Sequence, residues 1–150
     1  VLALAERPEA WARLRAQPAL LPTAVEEILR WTSPILYMGR TALHDVEIRG
    51  QRIRAGERVV LWYASANFDE AIFPEPLRFD VARAPNEHVA FGGGGPHFCL
   101  GASLARLELR VVLEELLASV GAMRVAGPGT HAGPNCSNGI FSLPLELAPA

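Results

Sequence analysis

Cys99 is framed by glycines in Phe91-Gly92-Gly-Gly-Gly-Pro-His97-Phe98-Cys99-Leu100-Gly101, and an amphipathic helical pattern opens directly after it with Ala102-Ser-Leu-Ala-Arg106. A thiol at the mouth of a helix is favoured as the anion, because the unpaired amides of the first turn and the positive end of the helix dipole stabilise it. A thiolate so placed has two uses, as a nucleophile or as a ligand to a soft metal centre. A cysteine nucleophile requires a histidine base and an Asn or Asp to orient that base. Against it, His97 stands only two residues from Cys99, and His44, His88 and His131 lie in no supporting motif. A phosphate-binding loop is disfavoured on other grounds: no Gly-Lys-Ser/Thr follows Gly92 to Gly95.

Further residues have chemistry only in combination. Glu27 and Arg30 stand three apart in a helical pattern. Alone they would make an exposed pair contributing about 0.2–0.5 kcal/mol. A further arginine, Arg78, stands in Pro76-Leu-Arg78-Phe79. Arg40 falls in a strand-like stretch, where it reads as a surface residue. Cys136, in Gly-Pro-Asn-Cys136-Ser-Asn-Gly, reads as a small loop residue, and its pairing with Cys99 in a disulfide is not expected.

The string from Phe91 to Arg106, the Glu27-x-x-Arg30 helix and the Pro76-x-Arg78-Phe79 stretch resemble, taken together, three signatures of the cytochrome P-450 family, the haem-thiolate monooxygenases. One departure is visible. Phe91 precedes Cys99 by eight residues, one more than in the commoner form of the loop; the longer loop resembles that of actinobacterial members acting on steroids or terpenoids. The resemblance implies haem b (iron protoporphyrin IX) as cofactor and Cys99 as the axial ligand of its iron. Such a thiolate pushes electron density toward the metal and favours O–O cleavage. It further implies that Arg40 and His97 bind the haem propionates, that Phe91 and Gly92 line the thiolate loop, and that Gly101 lets the porphyrin approach the backbone. Glu27, Arg30 and Arg78 would form a buried triad holding the Pro-x-Arg-Phe meander over the loop. The activity implied is insertion of one oxygen atom from O2 into a lipophilic small molecule, with electrons from a ferredoxin or flavin reductase donor.

The elements that must position these residues follow from periodicity. Pro8 to Ala16 reads as a helix with proline in its first turn. Pro18 and Pro22 then break the pattern, and Thr23-x-x-Glu26 reads as a capping box opening the helix that carries Glu27 and Arg30. Ser33-Pro34 stops that helix. Alternation at Val46 and Ile48, turns at Arg49-Gly50 and Ala55-Gly56, and the apolar run Val59 to Tyr63 predict strands, the last one buried. Residues 67 to 98 carry Pro74, Pro76, Pro85, Pro96 and the glycines, and predict a long irregular segment. Leu100, Leu104, Leu107, Val111 and Leu116 trace a helical face, with Gly121 as its end. A turn at Asn138-Gly139 leads into an edge strand or hairpin arm interrupted by Pro144.

The 150 residues suit one domain with a real core, and half of them are apolar. The expected class is α+β, mainly α, with a small antiparallel sheet. Complete members of the resembled family are far longer. Residues 1–150 are therefore expected to form the C-terminal portion of a single such domain, without the oxygen-activation helix. The alternative is a truncated, inactive remnant. A net charge of −2 without a basic tract argues against nucleic acid as a partner. The longest apolar run, Val59 to Ala66, is too short to span a bilayer. With no signal peptide or anchor visible, a cytoplasmic location is expected.

Overall fold

Proline punctuates the helices that begin the chain. The computed structural model describes residues 1–133 and 136–150; Pro134 and Asn135, in the loop read around Cys136, lie outside the described residues. Helices α1 (Leu2–Ala5) and α2 (Pro8–Ala16) are followed by a 3-10 turn at Pro18–Leu20 and by α3 (Leu21–Thr32). Pro8 fills the first turn of α2, where its missing N–H costs nothing. Pro22 is accommodated in the same way, so α3 starts ahead of the expected capping box. Thr23 is therefore not a cap: its hydroxyl donates to the carbonyls of Leu20 at 2.9 Å and Val81 at 2.7 Å. Ser33 ends α3 in the left-handed region at φ 39°, its hydroxyl donating back to the Arg30 carbonyl at 2.9 Å.

Strands β1 (Tyr37–Thr41) and β4 (Arg58–Trp62) pair antiparallel, with Arg40 opposite Val59. Between them β2 (Val46–Ile48) and β3 (Gln51–Ile53) form a hairpin. Its Arg49-Gly50 turn takes positive φ at both residues, the geometry that suits the twist of the strands. The strand expected at Val59 to Tyr63 is present, but its burial is not: Val60, Leu61 and Trp62 are exposed. A continuous apolar run fits a strand covered on both faces, whereas β4 has β1 as its one ladder partner among the described residues. The short helix α4 (Tyr63–Asn67) follows, and residues 68–101 contain no helix or strand.

The helix after the cysteine loop is α5 (Ala102–Ser119). The stripe expected to face the core does not: Leu100, Leu104, Leu107 and Val111 are exposed. The buried side carries Ala102 and Leu113, with Leu109, Leu116 and Leu117 packed against the core. Gly121 does not end this helix either. It lies in β5 (Val120–Val125), where a side chain would overlap the Pro149 carbonyl of the paired strand β8 (Leu145–Pro149). A last ladder joins β6 (Thr130–His131) to β7 (Ile140–Ser142).

The class is thus mixed α+β, with the antiparallel structure distributed over four two-stranded ladders among the described residues. Leu4, Trp11, Leu14, Val25, Ile28 and Leu29 from the first three helices meet Phe79, Val81, Leu113, Val120 and Met123 in one core. This core holds α3 against α5, and with them the two motifs of the site. Among the described residues no helix is long and apolar enough to cross a membrane.

Candidate functional site

The loop before α5 is shaped by glycines that only glycine can replace without strain. Gly92, Gly94 and Gly95 have φ of 92°, 95° and 78°. They turn the chain back so that the Cys99 N–H donates to the Phe91 carbonyl at 3.0 Å, while the Phe98 N–H reaches the Gly95 carbonyl at 3.1 Å. The Cys99 carbonyl then accepts the Ala102 N–H at 3.2 Å, joining the loop to α5. Cys99 is a free, exposed thiol, and Cys136 is free as well, so no disulfide competes for it. Gly101 has an ordinary φ of −82°, and a side chain there would meet Cys99 Sγ at 3.9 Å, an unstrained contact. Among the described residues, neither backbone nor packing demands glycine at that position.

Arg40, His97, Phe91, Gly92 and Cys99, all expected at the site, line one cavity of about 480 Å³. Ile35, Met38, Tyr63 and Ala90 complete its lining. The residues come from the stretch before β1, from β1, from α4 and from the loop, so the fold assembles what the sequence keeps apart. An aliphatic and aromatic wall, a thiol and two nitrogen donors make a donor set that fits a flat apolar macrocycle with a soft metal at its centre and anionic arms at its edge. Haem passes that test.

The buried polar centre beneath this loop is built on Glu27. Glu27 and Arg30 are fully buried and paired through two bonds, Nε to Oε2 at 2.8 Å and Nη2 to Oε1 at 2.9 Å. The expected third member is a correction. Arg78 points outward to Glu75 at 2.9 Å, and it is Arg83 whose Nε donates to Glu27 Oε2 at 3.1 Å. Arg78 contributes its backbone: its carbonyl accepts from Arg30 at 3.4 Å and from Arg83 at 2.7 Å. Asn86 Nδ2 and the Asp80 N–H supply the remaining donors to Glu27, at 3.1 Å and 2.9 Å. Arg30 also donates to the carbonyls of Asn67 at 2.9 Å and Pro76 at 3.0 Å. Every charge here is paired and bonded, the condition under which buried ions are tolerated.

Three residues that sequence reasoning missed hold this centre to the loop. Asn67, fully buried, donates to Ser33 Oγ at 3.0 Å and accepts the Val89 N–H at 2.8 Å. Glu26 turns away from Glu27 and grips Arg106 of α5 through two bonds of 2.7 Å and 2.8 Å. His88 accepts the Ala90 N–H on Nδ1 at 3.2 Å, which leaves Nε2 to donate to Glu26 Oε2 at 3.0 Å. The Arg106 fork holds the Glu26 carboxyl below its usual value, against the opposing effect of burial. Burial pushes the His88 imidazole below its usual value, outweighing the attraction of Glu26. In the sequence Glu26 reads as half of a capping box, so its pairing with Arg106 leaves no signal there.

A family model described as Cytochrome P450 matches residues 5–119. Among curated proteins, a methyl-branched lipid omega-hydroxylase of Mycobacterium bovis is 56% identical over 117 residues, 77% of this chain and 27% of that protein. A steroid C26-monooxygenase of Mycobacterium tuberculosis is 44% identical over 143 residues, 93% of this chain and 38% of that protein. The crystal structure of CYP108D1 from Novosphingobium aromaticivorans superposes with a TM-score of 0.91 at 46% identity, covering 99% of this chain and 36% of that one. The chain thus spans about a third of the length of the relatives it matches.

Proposed function

Because the chain belongs to the cytochrome P450 family, whose members bind haem b, we propose that Cys99 is the thiolate ligand of a haem iron and that the protein is a monooxygenase of a lipophilic substrate. The observation that carries the reading is the convergence of Cys99, His97, Arg40 and Phe91 on one apolar-walled cavity. When bound, the haem supplies the activation of O2, with one oxygen atom entering a C–H bond of the substrate and the other leaving as water.

The chain's own residues do the rest. The Cys99 sulfur would donate electron density to the haem iron, and the Phe91 carbonyl anchors the cysteine backbone by accepting the Cys99 N–H. The Phe91 ring lines the same cavity as the sulfur, and Arg40 and His97 would take the anionic arms of the haem. Glu27, Arg30 and Arg83 keep the meander in place beneath the loop. Gly101 then answers to a bound group approaching its open side, since nothing among the described residues requires it. The apolar lining from Ile35 and Met38 supports a lipophilic substrate, and the similarity to the steroid C26-monooxygenase supports a steroid or terpenoid one. The matched share of longer relatives supports residues 1–150 as part of one larger P450 domain. A ferredoxin or flavin reductase is the electron donor in this reading, docking near the exposed Cys99.

Absorption of the haem-loaded protein, reduced and bound by carbon monoxide, tests the ligand. A strongly red-shifted Soret band is expected, and Cys99→Ser should abolish it. Survival of that band in the serine variant overturns the assignment.

A further inference from the structure

Two carboxylates stand side by side on α3, and the triad uses only Glu27. Glu26 reaches the opposite way. It holds the Arg106 guanidinium by two bonds of 2.7 Å and 2.8 Å and takes a third from His88 at 3.0 Å. Arg106 in turn lies over the Phe91 ring, 4.7 Å from its centroid. The His88 ring approaches the same ring at 6.2 Å and Phe98 at 6.4 Å. Phe91 is also the residue whose carbonyl receives the Cys99 N–H at 3.0 Å. An unbroken line of contacts therefore runs from Glu26 through Arg106 and Phe91 to the backbone of the cysteine.

We propose that Glu26 is a positioning residue for Cys99, acting by aiming the Arg106 guanidinium at the Phe91 ring. A carboxylate that takes two N–H bonds from one guanidinium fixes the orientation of its plane. The Arg106 side chain is 37% exposed, so without Glu26 it swings into water, where solvation competes with the ring. His88, its side chain 2% exposed, donates to Glu26 and so fixes the carboxylate itself. The ring, held from above, keeps its own carbonyl under the Cys99 amide. A plain clip between α3 and α5 would need none of this, because the helices already share a core; the stacking on Phe91 is what gives the pair its direction.

The proposal rests on the thiolate reading for one of its two readouts and not for the other. Protein containing ring-labelled phenylalanine gives nuclear magnetic resonance signals for Phe91, identified by their loss in Phe91→Leu. Glu26→Gln should move these signals. In the haem-loaded protein it should also speed loss of the red-shifted, carbon monoxide-bound band in mild urea by about tenfold, the scale for removing a group behind a metal ligand. Arg106→Lys, which keeps the charge without the fork, should behave the same way. Leu14→Ala, a core lesion remote from the loop, shows how much band loss follows from lowered stability alone. In a Phe91→Leu background Glu26→Gln should have no further effect on the band. Should Glu26→Gln not fold, Glu26→Asp, one methylene shorter, carries the same comparison. The proposal falls if the Phe91 signals stay where they were, or if Glu26→Gln is as damaging without the Phe91 ring as with it. No red-shifted band in the unaltered protein, alongside Phe91 signals that still respond, overturns the ligand reading instead and leaves the positioning of the ring standing.

Discussion

Arg78 and Arg83 stand five residues apart on the same irregular segment, yet their surroundings are opposite. The Arg83 side chain is 10% exposed and bonded to Glu27 and three carbonyls, whereas that of Arg78 is 59% exposed and pairs with Glu75 and Asp80. Removing Arg83 leaves the buried Glu27 short of a counter-charge and should destabilise the protein by about 3 kcal/mol. Removing Arg78 breaks only exposed pairs and should cost about 0.5 kcal/mol or less. Urea denaturation of Arg83→Ala and Arg78→Ala measures the difference. The cysteine loop was legible because its residues are contiguous, and Glu27-x-x-Arg30 because one helix turn brings the pair together. The choice of Arg83 was not, since it depends on how residues 68–101 are routed, and a segment without periodicity leaves no trace of its route in the sequence. The family resemblance pointed to the arginine within the Pro-x-Arg-Phe stretch; the fold uses that residue's carbonyl and another residue's charge.

At the scale of elements, α5 shows where the pattern of apolar residues misleads. Leucine and valine occupy more than one side of this helix, so spacing alone identifies a helix but not the face turned inward. Contacts decide it: Leu113 is 2% exposed, and Leu107 is 55% exposed. Leu113→Ala should therefore lower stability by about 2–5 kcal/mol, while Leu107→Ala stays within about 0.5 kcal/mol. Thermal or urea unfolding of the two variants distinguishes the faces, and equal costs would place the core on the wrong side of α5. The same ambiguity explains β4, whose apolar run fixes the strand but says nothing of what lies over it. Turns fared better. Arg49-Gly50 and Ser33-Pro34 act through backbone conformation, which local residue types control directly.

For the molecule as a whole, the cluster of Glu26, His88 and Arg106 ties α3, the end of the meander and α5 together, so its protonation is felt in global stability. Burial lowers the His88 value from its ordinary 6.5. Just below pH 6.5 the unfolded chain thus takes up a proton that the folded one refuses, and stability falls as the pH falls through that window. Arg106, foremost, lowers the Glu26 value from its ordinary 4.5. Its contribution is complete above pH 4.5 and is lost as the pH drops toward the lower folded value. Denaturation midpoints should accordingly decline as the pH falls below about 6.5, and decline again below about 4.5. His88→Gln should remove the first decline and keep the second. A first decline that persists in the variant assigns it to another group.

One carbonyl on β5 has a consequence for how the chain reaches this state. Gly121 O accepts the indole N–H of Trp11 at 3.2 Å and a guanidinium N–H of Arg15 at 2.9 Å, across 110 and 106 residues. Ladder β5–β8 is thus the seat on which α2 comes to rest. Contacts of such sequence separation carry a large loop-closure cost and slow the search for the native arrangement. Seating α2 thus depends on a strand more than a hundred residues further along, a long-range topology that favours slow folding.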